Sequence, residues 1–122
     1  MGLDMWFRSK RSGEDEPREL GYTSNSNAVF GWIERNVGEI GNYADLPMGR
    51  EHFVQLKADC EFVLAHRDKA EEVMPVREGF YFGPYKYDKY YFYKLENAVE
   101  ICDKVLSEVD FDSEDVFFHA WW

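Results

Sequence analysis

The chain has little of several things that would assign it a class at once. Two cysteines in 122 residues are too few for the disulfide framework of a small secreted domain. Cys60 and Cys102 also fall inside helical apolar patterns, where a reduced thiol serves as a small core residue. No run of about 18 apolar residues is present to cross a bilayer. The apolar stretch from Met1 to Phe7 is short, and Arg8, Lys10 and Arg11 follow it, the reverse of a secretory signal. These features predict a cytoplasmic protein.

Cations are scarce as well. Fourteen Lys and Arg against 24 Asp and Glu leave a net charge of -10, so phosphates of free nucleic acid and anionic lipid headgroups meet an opposing mean field. Direct nucleic-acid and membrane partners are therefore not expected. Basic surfaces suit this charge, including those that normally hold DNA or RNA, although high negative charge by itself does no more than keep a protein soluble.

Chemical motifs are missing too. His52 and His66 lie about 20 Å apart along a continuous helix, and neither has a ligand-spaced partner, so no metal site is predicted. The run from Asp110 to Asp115 starts like a calcium loop but has Asp115 where the sharp turn needs Gly, and no Glu at the twelfth position. It reads as a solvated acidic turn. No Walker loop, dinucleotide fingerprint or serine elbow occurs, no cofactor is implied, and the residues point to binding rather than catalysis.

What the chain does have is rings. Phe, Tyr and Trp make up 18% of it, so the core must be built largely from aromatics. Alternation predicts strands over Leu3 to Arg8, Glu19 to Thr23 and Val116 to Trp122, with a short edge strand near Tyr43. Three-four spacing predicts a helix from Asn27 to Val37 capped by Asn25 or Ser26, and a second along Phe53, Leu56, Cys60, Val63 and Leu64 that continues to Met74. A third starts at the cap Asp88 and carries Tyr91, Leu95, Ala98, Val99, Cys102, Val105 and Leu106 on one stripe. The expected fold is α+β in a single domain, with about three helices packed on a small antiparallel sheet of three to four strands.

The segment from Phe80 to Tyr93 reads FYFGPYKYDKYYFY. Four consecutive rings at 90 to 93 step by about 100° each on a helix, so one or two must face outward. Lys86, Lys89 and Lys94 are interleaved with them, an arrangement suited to stacking on a base while neutralising phosphate. Phe80, Tyr81, Phe82, Tyr85, Lys86, Tyr87, Lys89 and Tyr90 are the candidate ligand- or partner-binding residues. The competing reading is that these rings cover the sheet and helices as ordinary core.

Soft motifs along most of the chain resemble a family of small phage and prophage proteins. They are the opening Met1-Gly2-Leu3-Asp4-Met5, the segment Asn27 to Asn36 with Trp32, Pro75 followed by Gly79-Phe80-Tyr81-Phe82-Gly83, Tyr87-Asp88 before Tyr91-Phe92, and the terminal aromatic strand. The resemblance implies an accessory phage product acting in the cytoplasm of a host bacterium and brings no established activity with it. Family members place a basic residue and a histidine in the first-helix region, where this chain has Thr23-Ser24-Asn25 and Gly31.

Two functions of different class follow. The first is a non-enzymatic counter-defence antagonist that binds a host protein, a defence or nucleic-acid-handling factor, through its acidic surface. The alternative is a small-ligand binder that sequesters a nucleotide-like signal at residues 80–93. A homodimer formed through Phe117, Phe118, Trp121 and Trp122 is a further possibility.

Overall fold

The computed structural model describes residues 2–77 and 86–122. Chain order is β1 (Asp4–Arg11), β2 (Arg18–Ser24), α1 (Asn27–Asn36), β3 (Asp45–Met48), α2 (Arg50–Ala65), α3 (Ala70–Val73), α4 (Lys89–Glu108) and β4 (Glu114–Trp121). The four strands form one antiparallel sheet in the order β2-β1-β4-β3. Four helices pack against it, so the expected α+β architecture holds, with the one-turn α3 added to the three helices predicted.

Strict alternation in the two central strands divides the sheet. Leu3, Met5 and Phe7 in the β1 segment and Val116, Phe118 and Ala120 of β4 are buried beneath the helices. Asp4, Trp6 and Arg8, with Phe117, His119 and Trp121, point to the other face. Phe7 meets Phe118 at 5.2 Å and Phe53 of α2 at 5.9 Å between ring centroids, which ties sheet to helix layer through aromatic edges. Beneath them α2 and α4 pack along each other, with Phe53, Leu56, Cys60 and Val63 against Leu95, Ala98, Cys102 and Val105.

One glycine is required by packing. A Cβ on Gly21 of β2 would lie 2.7 Å from Cγ1 of Ile101, so a hydrogen there lets α4 approach the strand. Gly13, in the turn between β1 and β2, has φ +90°, a backbone conformation that suits residues without a Cβ.

Several boundaries differ from the sequence reading. The second helix does not run on to Met74: it stops at Ala65, His66 adopts φ -135°, and a 3-10 turn (Arg67–Lys69) leads into α3. The buried stripe of α2 ends at Val63, and the exposed charged residues that follow give no reason to continue on the same axis. The edge strand lies at Asp45–Met48, just beyond Tyr43, which takes φ +63° as the residue that turns the chain. Ser26 is the N-cap position of α1 but makes no capping bond, and Asn25 spends its side chain accepting the Leu3 N–H at 2.8 Å.

The acidic turn is also not uniformly solvated. Glu114 is 6% exposed and accepts from Asp110 N (3.0 Å), Ser9 Oγ (3.3 Å) and Arg18 (3.4 Å), with Arg11 at 3.7 Å. The Asp110 N–H first, then the two guanidiniums and the Ser9 hydroxyl, hold its carboxyl below the ordinary glutamate value.

Candidate functional site

Asp88 fixes the first turn of α4 by accepting from the N–H groups of Tyr90 (3.1 Å) and Tyr91 (3.2 Å). Two tyrosines then pin the chain beyond α3 onto that turn. Tyr91 donates its hydroxyl to Met74 O at 2.5 Å, and the Tyr87 hydroxyl accepts from Val76 N at 3.2 Å. The two rings meet edge to face with centroids 5.0 Å apart. Burial pushes the Tyr91 phenol well above its ordinary value, which keeps it a neutral donor at any physiological pH.

With Tyr91 and Phe92 turned inward, the helical step leaves Tyr90 and Tyr93 outward, 58% and 55% exposed. They are three residues apart and so neighbours on the helix surface. Around them a groove of about 680 Å³ is lined by Arg67, Lys89, Tyr90, Phe92, Tyr93, Lys94 and Glu96. That volume falls within the roughly 300–1,000 Å³ of typical small-molecule sites.

The charge of the groove opposes that of the whole chain: three cations and one carboxylate line it, in a protein of net charge -10. None of the three cations is ion-paired with a carboxylate among the described residues. Each lies instead over a ring, Arg67 over Phe92 at 4.4 Å, Lys89 over Tyr90 at 5.3 Å and Lys94 over Tyr93 at 5.9 Å. Lys94 also reaches Ser24 Oγ of β2 at 3.5 Å, and burial lowers its ammonium pKa, so an anion placed here regains the solvation that the side chain has lost.

Of the residues predicted for the site, Lys89 and Tyr90 line the groove. Lys86 is exposed, and Tyr87 is half-buried with its hydroxyl already engaged, a support for the turn. Phe80, Tyr81, Phe82 and Tyr85 lie outside the described residues. Arg67 was not foreseen. It stands 22 positions before Lys89, and only the break after α2 carries it over Phe92, so no local pattern announces it.

The remaining reactive groups are quiet. Burial pushes both thiols up, Cys102 to about 12 and Cys60 further, and Cys60 Sγ lies 3.7 Å from Met74 Sδ inside the core. No three His, Cys, Asp or Glu side chains converge as a metal set among the described residues. No helix among them is long and apolar enough to cross a membrane.

Fold and groove together define a two-layer α+β protein with a ring-lined, cationic recess on an acidic body. No family model, curated protein or solved structure matches the chain.

Proposed function

We propose that the protein binds a small anionic, ring-bearing ligand of nucleotide type in the groove at the start of α4 and sequesters it without chemical conversion. The observation that carries this reading is the convergence of Arg67, Lys89 and Lys94 with the exposed rings of Tyr90 and Tyr93. A planar base gains by stacking on either tyrosine, while phosphate oxygens gain charge-assisted bonds from three cations that form no ion pair with a carboxylate among the described residues. In the accessory phage role implied by the sequence resemblance, such a protein would withdraw a nucleotide signal from its host.

Thermal denaturation against mono-, di- and cyclic nucleotides, with inorganic phosphate as control, tests the proposal. A ligand at a hundred times its dissociation constant adds about 2.7 kcal/mol, a shift of several degrees for a domain of this size. Lys89→Glu with Lys94→Glu should abolish the shift while leaving the unliganded melting temperature close to that of the wild type. Absence of a shift with every nucleotide, or an equal shift in the double variant, overturns the assignment.

Antagonism of a host protein is the second reading, and one feature favours it. Glu61, Glu96 and Glu100 line a shallow groove of about 570 Å³ between α2 and α4, floored by Leu64, Ala65 and Val99. This acidic, apolar-floored surface suits a basic protein patch, and such binding should weaken as salt is raised.

A further inference from the structure

Strand register divides the sheet face turned away from the helices into two halves of different charge. In the half toward Arg11, Arg8 stands opposite Glu19 and Phe117, Lys10 opposite Asp115, and Phe117 opposite Pro47, so two cations answer two carboxylates. In the half toward Asp4, Asp4 stands opposite Ser24 and Trp121, Trp6 opposite Tyr22 and His119, and His119 opposite Asp45. These positions hold two carboxylates and neither Lys nor Arg. The negative charge of the face is therefore gathered at its Asp4 end, with His119 neutral.

The rings are gathered there too. Tyr22 meets Trp6 at 5.6 Å, Trp6 meets His119 at 5.9 Å, His119 meets Tyr43 at 6.3 Å and Tyr43 meets Trp121 at 5.1 Å. Tyr22, Tyr43 and Trp121 are 48%, 58% and 47% exposed, a contiguous strip and not a scatter of single rings. Asp4 accepts from the Tyr22 hydroxyl, and Asp45 lies 2.9 Å from His119 Nδ1, but neither is ion-paired with Lys or Arg among the described residues. Two cations of the chain reach toward this half. Lys94 comes round the β2 edge to Ser24 Oγ at 3.5 Å, and the Arg8 guanidinium leans over Trp6 at 5.2 Å from the ring centroid. Arg8 shows what such a ring accepts, and the Trp121–Tyr43 pair has no cation over it among the described residues.

We infer that the Asp4 end of the open sheet face docks an extended, arginine-bearing segment of a partner protein. A guanidinium stacks on the Trp121–Tyr43 pair and donates to Asp4, the register partner of Trp121, or to Asp45, two residues beyond Tyr43. Arginine suits this arrangement better than lysine because its plane lies flat on a ring while its forked donors reach a carboxylate. The ring row crosses four strands, three spacings or about 14 Å, which about five extended residues span. A globular partner covers about 800 Å² in a stable interface, far more than this strip offers, so the occupant is a segment held weakly and reversibly. A second copy of the chain would set like charges together here, and single-stranded nucleic acid would bring phosphates to two carboxylates.

The test is a titration of the isotope-labelled protein with the peptide Arg-Gly-Arg-Gly-Arg at low salt, up to about 1 mM, followed through the indole N–H resonances. The Trp121 and Trp6 signals should move, and that of Trp32, whose Nε1 is bonded to Asp59 in the helix layer at 2.7 Å, should stay in place. Asp4→Asn and Asp45→Asn, each shown by circular dichroism to be folded, should each weaken binding about tenfold, as should Trp121→Ala at the rim of the strip. Glu71→Gln with Glu72→Gln on α3 removes two charges elsewhere and should change affinity no more than about twofold, because distant exposed charges are screened. The lysine counterpart of the peptide should bind several-fold more weakly. A Trp121 signal that stays fixed up to about 1 mM overturns the inference, as does equal weakening by the α3 variant. Free arginine binding as tightly as the peptide would reduce the site to one for a small cation and likewise overturn the docking of a segment.

Discussion

Along β1, Leu3, Met5 and Phe7 turn beneath the helices and are no more than 1% exposed, while Asp4, Trp6 and Arg8, interleaved with them, turn to the open side. In β4 the same alternation sets Val116, Phe118 and Ala120 against Phe117, His119 and Trp121. Both faces are rich in rings, but the covered one excludes charge except for Glu114 at its end, and the open one interleaves rings with Asp, Arg and Lys. Covered rings work by filling volume, so each carries stability. Open rings retain contact with water at one edge, so each contributes little to the fold and remains available for contact.

The largest effect that can break this comparison comes from truncating a ring on each side. Phe118→Ala leaves a cavity beside Phe7 and should cost about 3–5 kcal/mol, whereas Phe117→Ala, one residue away, should cost no more than about 1 kcal/mol. Chemical denaturation of the two variants checks this, and equal losses would erase the distinction between the faces.

A smaller effect sharpens it at the charged end of the covered face. Because the folded state holds the Glu114 carboxyl below its ordinary value, the stability it contributes is fully present above the unfolded glutamate pKa and is lost as pH falls through the folded one. Glu114→Gln should cost about 1–2 kcal/mol near neutrality, from weakened charge-assisted bonds, and should flatten the acid limb of the stability profile. Melting temperatures measured from pH 7 to about pH 3 decide it; parallel curves for variant and wild type would remove Glu114 from the acid response.

The smallest effect lies on the open face. Tyr22 donates its hydroxyl to Asp4, an exposed contact that raises the Tyr22 phenol pKa. Tyr22→Phe should cost no more than about 0.5 kcal/mol, since water replaces an exposed bond at little loss. A loss several times larger, measured by chemical denaturation, would mean that the open face is structural.

Much of the fold was legible because it depends on short periods. The stripe from Tyr91 to Leu106 and the cap at Asp88 were readable, since a 3.6-residue period and a side-chain oxygen at a helix start are local facts. So was the outward turn of two rings among residues 90–93. The end of α2 at Ala65 was not, because Ala70 and Val73 keep a helical spacing after a break that only packing reveals. Of the four terminal rings considered as a dimer surface, Phe118 is fully buried and Trp122 lies edge-on to Phe30 at 5.4 Å. Those rings complete the chain's own core, leaving Phe117 and Trp121 for the open face.

By itself the sequence determined the α+β class, the order of the main elements, the buried thiols and the acidic body, because burial periodicity and net charge are properties of composition and spacing. Tertiary structure decided which side of each strand the helices cover, and that Arg67 joins Lys89 and Lys94 around Tyr90 and Tyr93. It also decided that Tyr22, Trp6, His119, Tyr43 and Trp121, scattered from residue 6 to residue 121, form one row. These groupings depend on strand register and on a helix break, and both are fixed by contacts between residues far apart in the chain.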